Sequence, residues 1–383
     1  MSLLAAVRRS ACPVPWPANW PGGLGRMLVL CMVSAWLAGC GPASPPAPWR
    51  IAVNPWVGYE PLVLAQETGT LPPAMRVVEL ASNTETKRAF RNGLIELAAL
   101  TLDEALRLAD EGEALHIVAV LSDSAGADAV LARADVAARL KRPATAPPAA
   151  TPAPNRLRRS AVPAGPQRLR IGLERTALGE LMLAHWLEHS RLSLADVQPI
   201  HIEAADHEAA LSNREVDVLV TFEPMKTRLE QSGAVNLLDT RSLPGEVVDV
   251  LVARPGLDAS RLAALLHAWS SARQRLVDAS APPEWLAAGL DLTPTQYLQT
   301  LDGLRFLPLA EMRTRLQPTP DGSAPAPLAR NSEPMMATLQ RLGLLQRPPD
   351  WATLLEAAPL VLALASQPPA RSAAVPTPAG GQP

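Results

Sequence analysis

Cysteine is almost absent from this chain, and its three copies, Cys12, Cys31 and Cys40, all lie within the first 40 residues. A folded body beginning after residue 40 therefore has no thiol for a disulfide, for thiol catalysis or for a cysteine-ligated metal, and must stand on its apolar core. Aromatic residues are scarce, at 4% of the chain, so Ala, Leu and Pro supply much of the bulk. There is no basic excess either. A net charge of −2 and an isoelectric point near 6.3 leave nothing that favours a nucleic-acid partner. Catalytic signatures are missing too: no glycine-rich phosphate loop, no G-x-S-x-G elbow and no H-E-x-x-H. His185 and His189 do stand at the i, i+4 spacing of a helical metal pair, but no third ligand is evident, so a surface helix is the expectation. No enzyme activity, metal or cofactor is expected.

Proline is plentiful: 40 residues, crowded into positions 12–21, 42–48, 143–168, 318–327 and 368–383. Clusters of that kind mark linkers and tails. Residues 27–39, MLVLCMVSAWLAG, form an apolar run behind Arg8, Arg9 and Arg26, shorter than the ~20 residues a bilayer-spanning helix needs. That run fits the core of an export signal. Leu37-Ala38-Gly39-Cys40 resembles the bacterial lipobox, in which small residues let a peptidase reach the bond before a cysteine that takes a lipid. Residues 1–39 are therefore expected to be a signal peptide, Cys40 a lipidation site, and residues 40–49 a Pro-rich tether on the periplasmic side of a bacterial membrane.

Beyond the tether, short apolar runs alternate with amphipathic ones. Strands are expected at 50–54, 75–80, 95–100 and 116–121, with helices at 59–69, 84–92 and 102–109 between them. Residues 135–168 are rich in Ala and Pro with a few basic residues, and read as a flexible insertion. The alternation restarts with strands at 168–173, 197–202, 216–222 and 247–253, and helices at 177–189, 207–213 and 225–232. Helices then dominate to about residue 350, and 366–383 reads as a disordered tail. This rhythm predicts an α/β protein of two lobes, 50–134 and 169–253, with a helical segment at 254–350 packed back on them. In open α/β sheets, ligands sit beyond the carboxyl ends of the strands, so both lobes would aim their strand-to-helix loops into one cleft.

A family resemblance rests on five segments. They are Asn54-Pro55-Trp56-Val57-Gly58-Tyr59-Glu60-Pro61-Leu62, running on to Ala65-Gln66-Glu67-Thr68-Gly69; Ala99 to Glu104; Asp123-Ser124-Ala125-Gly126-Ala127-Asp128-Ala129; Asp217 to Pro224, ending Phe222-Glu223-Pro224; and Leu243 to Val250. In this order and spacing the chain resembles the solute-binding proteins of ABC importers in the nitrate/sulfonate/taurine class, which includes binders of thiamine precursors. The resemblance implies a type II periplasmic-binding fold, closure of two lobes on a small-molecule solute, and delivery to an ABC permease and its ATPase by a monomer. It also implies a first crossover between the lobes near residues 135–168. Two alternatives stay open: a ligand-sensing lipoprotein adaptor for a membrane signalling protein, and a thiamine-precursor-type enzyme on the same fold.

Candidate ligand residues sit at the strand-to-helix junctions. Asn54 can donate and accept, while Trp56 and Tyr59 offer flat walls with polar edges. Asn83, Thr84 and Thr101 mark helix starts, where free backbone N–H groups suit an oxyanion. Ser124 is a donor and Gly126 permits close approach. Thr176 and Phe222 face them from the second lobe. Glu223 would take an amine and oppose a purely anionic solute, so the residues alone leave the solute class open.

Overall fold

The two lobes open with the same device. Arg50 and Arg170 each sit at the second position of a strand whose last three residues are buried. Each reaches a carboxylate just before the strand that will lie beside it: Arg50 Nη2 to Glu96 at 2.9 Å, and Arg170 Nη2 to Asp217 at 3.0 Å. The same carboxylates accept the backbone N–H groups of Arg50 and Arg170, so each pair fixes the register of a parallel strand at its entry. The arginines are partly exposed, and such pairs contribute modestly to stability.

The computed structural model describes residues 48–141, 168–278 and 284–366. In the first sheet β1 (Trp49–Val53) runs parallel to β2 (Met75–Glu79) and β3 (Leu97–Thr101), and the order across it is β11-β4-β10-β3-β1-β2. Strand β4 spans His116–Ser124, β10 spans Val248–Ala253 and β11 spans Leu304–Phe306. In the second sheet β6 (Leu169–Leu173) lies between β7 (Val197–His201) and β8 (Val218–Phe222), and the order is β7-β6-β8-β5-β9, with β5 at Asp128–Ala132 and β9 at Val235–Asp239. Both sheets thus place an antiparallel strand beside the third parallel one. Strand β10 pairs antiparallel with β3 and β4, and β5 with β8 and β9.

Those two strands correct the lobe boundaries expected from sequence. Residues 128–132 belong to the second sheet and residues 248–253 to the first. The chain crosses between lobes at 124–128, not near 135–168, and crosses back after β9. Periodicity cannot reveal this, because either run is apolar enough for either sheet and the choice is made by pairing with strands far along the chain, as in Asp128 with Phe222 and Asp249 with Thr101. Ser124 and Thr240, one on each crossing, share a hydrogen bond of 2.8 Å, and Gly126 N donates to the same Thr240 hydroxyl at 2.7 Å. The two crossings are therefore tied to one another.

Helices connect the parallel strands: α1 (Glu60–Glu67), α2 (Asn83–Arg91) and α3 (Leu102–Asp110) in the first lobe, and α5 (Ala177–Ser190), α6 (His207–Ser212) and α7 (Met225–Gln231) in the second. The expected insertion begins with an ordered helix, α4 (Ala134–Lys141), held by buried Val136 and Ala137; residues 142–167 lie outside the described residues. The long amphipathic α8 (Ala259–Asp278) buries Trp269, packs against α1 and meets the first sheet where Trp269 contacts Phe306 of β11. Helices α9 (Glu284–Gly289), α10 (Pro294–Leu301), α11 (Leu309–Leu316), α12 (Pro327–Asn331), α13 (Glu333–Arg341), α14 (Trp351–Leu354) and α15 (Ala358–Ala365) complete the fold. The last two extend ordered structure past the expected end at 350, and α15 packs on α8. The expected signal peptide, Cys40 and most of the tether lie outside the described residues, as do residues 367–383. Among the described residues no helix is long and apolar enough to cross a membrane.

Candidate functional site

The carboxyl ends of β1, β3, β6 and β8 point at one another across the line between the sheets, and the loops that follow them enclose a cavity of about 30 Å³. Seven of the residues expected from sequence line it: Asn54, Trp56, Tyr59, Asn83, Thr101, Thr176 and Phe222. Trp56 meets Phe222 of the other lobe edge-to-face, with ring centroids 5.7 Å apart, a favoured arrangement for aromatic pairs. Asn54, Glu174 and Phe222 also border an outer groove of about 200 Å³, which therefore adjoins the cavity.

Four expected residues do other work. Thr84 is exposed on the first turn of α2. Ser124 and Gly126 are bound to Thr240 at the crossings. Glu223 is almost fully buried, but its carboxylate accepts from Lys226 Nζ at 3.2 Å and from Thr227 N at 3.0 Å; it caps α7 and does not line the cavity.

The structure adds lining residues to which the sequence alone does not point, among them Asp128, Glu174, His207 and Asp249. Asp249, on β10, is fully surrounded. It accepts from Ser122 Oγ at 2.6 Å, Trp56 Nε1 at 3.0 Å and the Tyr59 hydroxyl at 3.1 Å. One carboxylate thus orients both aromatic walls. Gly58 lets this happen: a Cβ there would lie 2.3 Å from Trp56 Nε1, so any side chain would push the indole off Asp249. His207 Nδ1 pairs with the Thr221 hydroxyl at 3.0 Å, and burial holds the ring's pKa down to about 4, which keeps it neutral.

Several lining atoms are buried without a hydrogen-bond partner: Asn54 Oδ1, Asn83 Oδ1, Thr101 Oγ1, Asp128 Oδ2, Glu174 Oε1 and His207 Nε2. Each belongs to a residue less than a tenth exposed. An unmade hydrogen bond of this kind costs about 1–3 kcal/mol, and six around one cavity are poorly explained as packing errors. Burial, reinforced by neighbouring carboxylates, pushes Asp128 up to about 8 and Glu174 up to about 7.

The N-termini of α5 and α2 are already occupied, whereas that of α3 has no side-chain cap from Thr101. Thr176 caps α5 by accepting from Gly179 N at 3.1 Å, and the first N–H of that helix, at Ala177, donates to Glu104 Oε1 at 2.6 Å. Glu104 comes from α3 in the other lobe, and its second oxygen pairs with buried Lys87. The anion at the α5 N-terminus is therefore the protein's own. Ser82 similarly takes Glu85 N at the start of α2.

The NMT1-like family matches residues 42–288. The chain belongs to that family. No curated protein is similar enough to count as a match. Among solved structures, the alkanesulfonate-binding protein of Xanthomonas axonopodis pv. citri, bound to MOPS, is 18% identical, with 82% of this chain and 100% of that one covered and a TM-score of 0.59. The periplasmic nitrate-binding protein of Synechocystis is 14% identical over 85% of this chain and 90% of its own, with a TM-score of 0.59. The ligand-binding component of an ABC-type import system from Staphylococcus aureus reaches 0.61 at 13% identity, covering 82% and 98%. These likenesses establish the fold of periplasmic binding proteins, in keeping with the expected α/β, type II periplasmic-binding-protein-like architecture, and they agree with the resemblance drawn from the five segments.

Proposed function

We propose that this protein is an extracytoplasmic solute-binding protein that captures a small molecule between its lobes and delivers it to the permease of an ABC importer. The observation that carries this reading is the ring of unpartnered buried polar atoms, contributed by both lobes, around a cavity with aromatic walls. Buried polar atoms are normally satisfied, and a solute seated there would satisfy several at once. The crossings at 124–128 and after β9 give the lobes two adjacent connections about which to close. The lipobox-like Leu37-Ala38-Gly39-Cys40 supports tethering by lipid at Cys40, which would hold the body beside a membrane-embedded partner.

Two measurements test this. A thermal-shift screen of small organic cations, amino acids, sulfonates and nitrate should find at least one stabilising solute, whose effect Trp56→Ala abolishes. No shift with any of them would remove the capture reading. For the tether, Cys40→Ser should move the protein from the membrane to the soluble fraction of cells producing it; retention at the membrane would contradict a lipid anchor.

A further inference from the structure

The cavity lining carries three carboxyl groups, Asp128, Glu174 and Asp249, and neither lysine nor arginine. Behind it stand Glu104 and Glu223, both almost fully buried. The nearby cations are committed elsewhere. Lys87 is paired with Glu104, Lys226 with Glu223 and Glu230, and Arg241, which lies against Gly126, with Asp239 at 2.8 Å. The N-terminus of α5, which faces the cavity behind Thr176, is filled by Glu104. An anion entering this space would meet carboxyl groups that repel it wherever they are ionised, with no lining cation to offset them and only neutral groups such as the Thr101 hydroxyl and His207 Nε2 to receive it.

From this geometry we infer that the solute is a compact organic cation, an ammonium or amidinium, whose N–H groups donate to Asp128 and Glu174 from one lobe and to Asn54 and Asn83 from the other. This deepens the capture reading and rests on it. Charge-assisted hydrogen bonds are about twice as strong as neutral ones. The faces of Trp56 and Phe222 suit a cation's apolar part and its charge. Asp249 is excluded as a direct partner, since three donors already hold it.

The sign of the pH dependence follows. Asp128 is faced by Asp249, Asp103 and Glu223, and by the Ser124 hydroxyl; Glu174 is faced by Glu203, Glu104, Lys87 and His201. With both carboxyls raised, part of each is protonated at neutral pH. A cation expels those protons on binding, so its affinity climbs with pH, by up to about tenfold per unit for each proton released.

The test is calorimetric titration of the full chain with methylguanidinium, ethylammonium, ethanesulfonate and nitrate at pH 6, 7 and 8. Binding of a cation that tightens with pH, and that falls tenfold or more in Asp128→Asn and in Glu174→Gln, supports the inference. Binding of ethanesulfonate or nitrate with neither cation bound overturns it and leaves solute capture standing. Binding of none of the four overturns the inference, and capture itself falls if the broader thermal-shift screen is also blank. Cation binding unchanged in both variants also overturns the assignment. Each variant's melting curve shows separately that it is folded.

Discussion

Replacing Lys87 by methionine is expected to destabilise the protein by about 3–5 kcal/mol at pH 7, the usual consequence of stripping one partner from a buried ion pair. The Glu104 side chain is wholly inaccessible and that of Lys87 is 10% exposed. Without the ammonium, Glu104 would keep its bond from Ala177 N but lose its counter-charge. A second substitution, Glu104→Gln, should recover part of the loss in the methionine background, because an amide oxygen still accepts from Ala177 N and carries no charge to bury. Urea unfolding of the two single variants and the double variant measures this directly. A loss below about 1 kcal/mol in Lys87→Met, within what exposed pairs give, would mean that Glu104 is solvated in solution and that the lobes are not held together there.

Asp128→Asn should do the opposite, stabilising the fold at alkaline pH. Burial lifts the Asp128 carboxyl from the ordinary 3.8 to about 8. Between those values the folded chain holds a proton that the unfolded chain has released. The unfolded state thus binds fewer protons, and stability falls as pH rises from about 4 to about 8. Asparagine removes the linkage while keeping the shape. At about 1.4 kcal/mol for each pH unit between the two values, the gain at pH 8 is at most about 5 kcal/mol, and at pH 4.5 it is small. Melting curves at both pH values test the sign; parallel behaviour of variant and wild type would show that Asp128 titrates normally. Glu60 is the control. Buried and raised to about 8 with Glu79 nearby, it lies outside the cavity, so Glu60→Gln should share the stabilising profile and leave solute binding untouched. A protein that holds destabilising carboxyls in its cleft is giving up stability where a ligand would restore it.

The parallel units are legible in the sequence because each of their strands is followed by a helix that covers it. The residues at the carboxyl ends of those strands, Asn54, Thr101 and Phe222, are legible for the same reason. Strands β5 and β9 escape a reading by local rhythm, and β10 reads as part of the wrong lobe, because their places are set by partners far along the chain, Asp128 with Phe222 and Asp249 with Thr101. The site inherits this blindness. Asp249 arrives on β10, and its partnership with Trp56 spans 193 residues. Asp128 stands in sequence only as part of the Asp123–Ala129 segment, whereas in the structure it begins β5. Glu223 shows the reverse error: a carboxylate after a strand is as well suited to capping the next helix as to meeting a solute, and here Lys226 and Thr227 claim it. Thr176 lines the cavity and caps α5 at once, so the two roles are not alternatives.

A solute held between the lobes should be gripped by groups from both, and hydrogen exchange with and without saturating methylguanidinium tests this most directly. Slowed exchange is expected in both lobes together, around residues 54–59 and 83–86 in the first and 174–179 and 221–223 in the second. Slowing confined to one lobe, or to the separate surface groove beside Asp110 and Arg347, would contradict it.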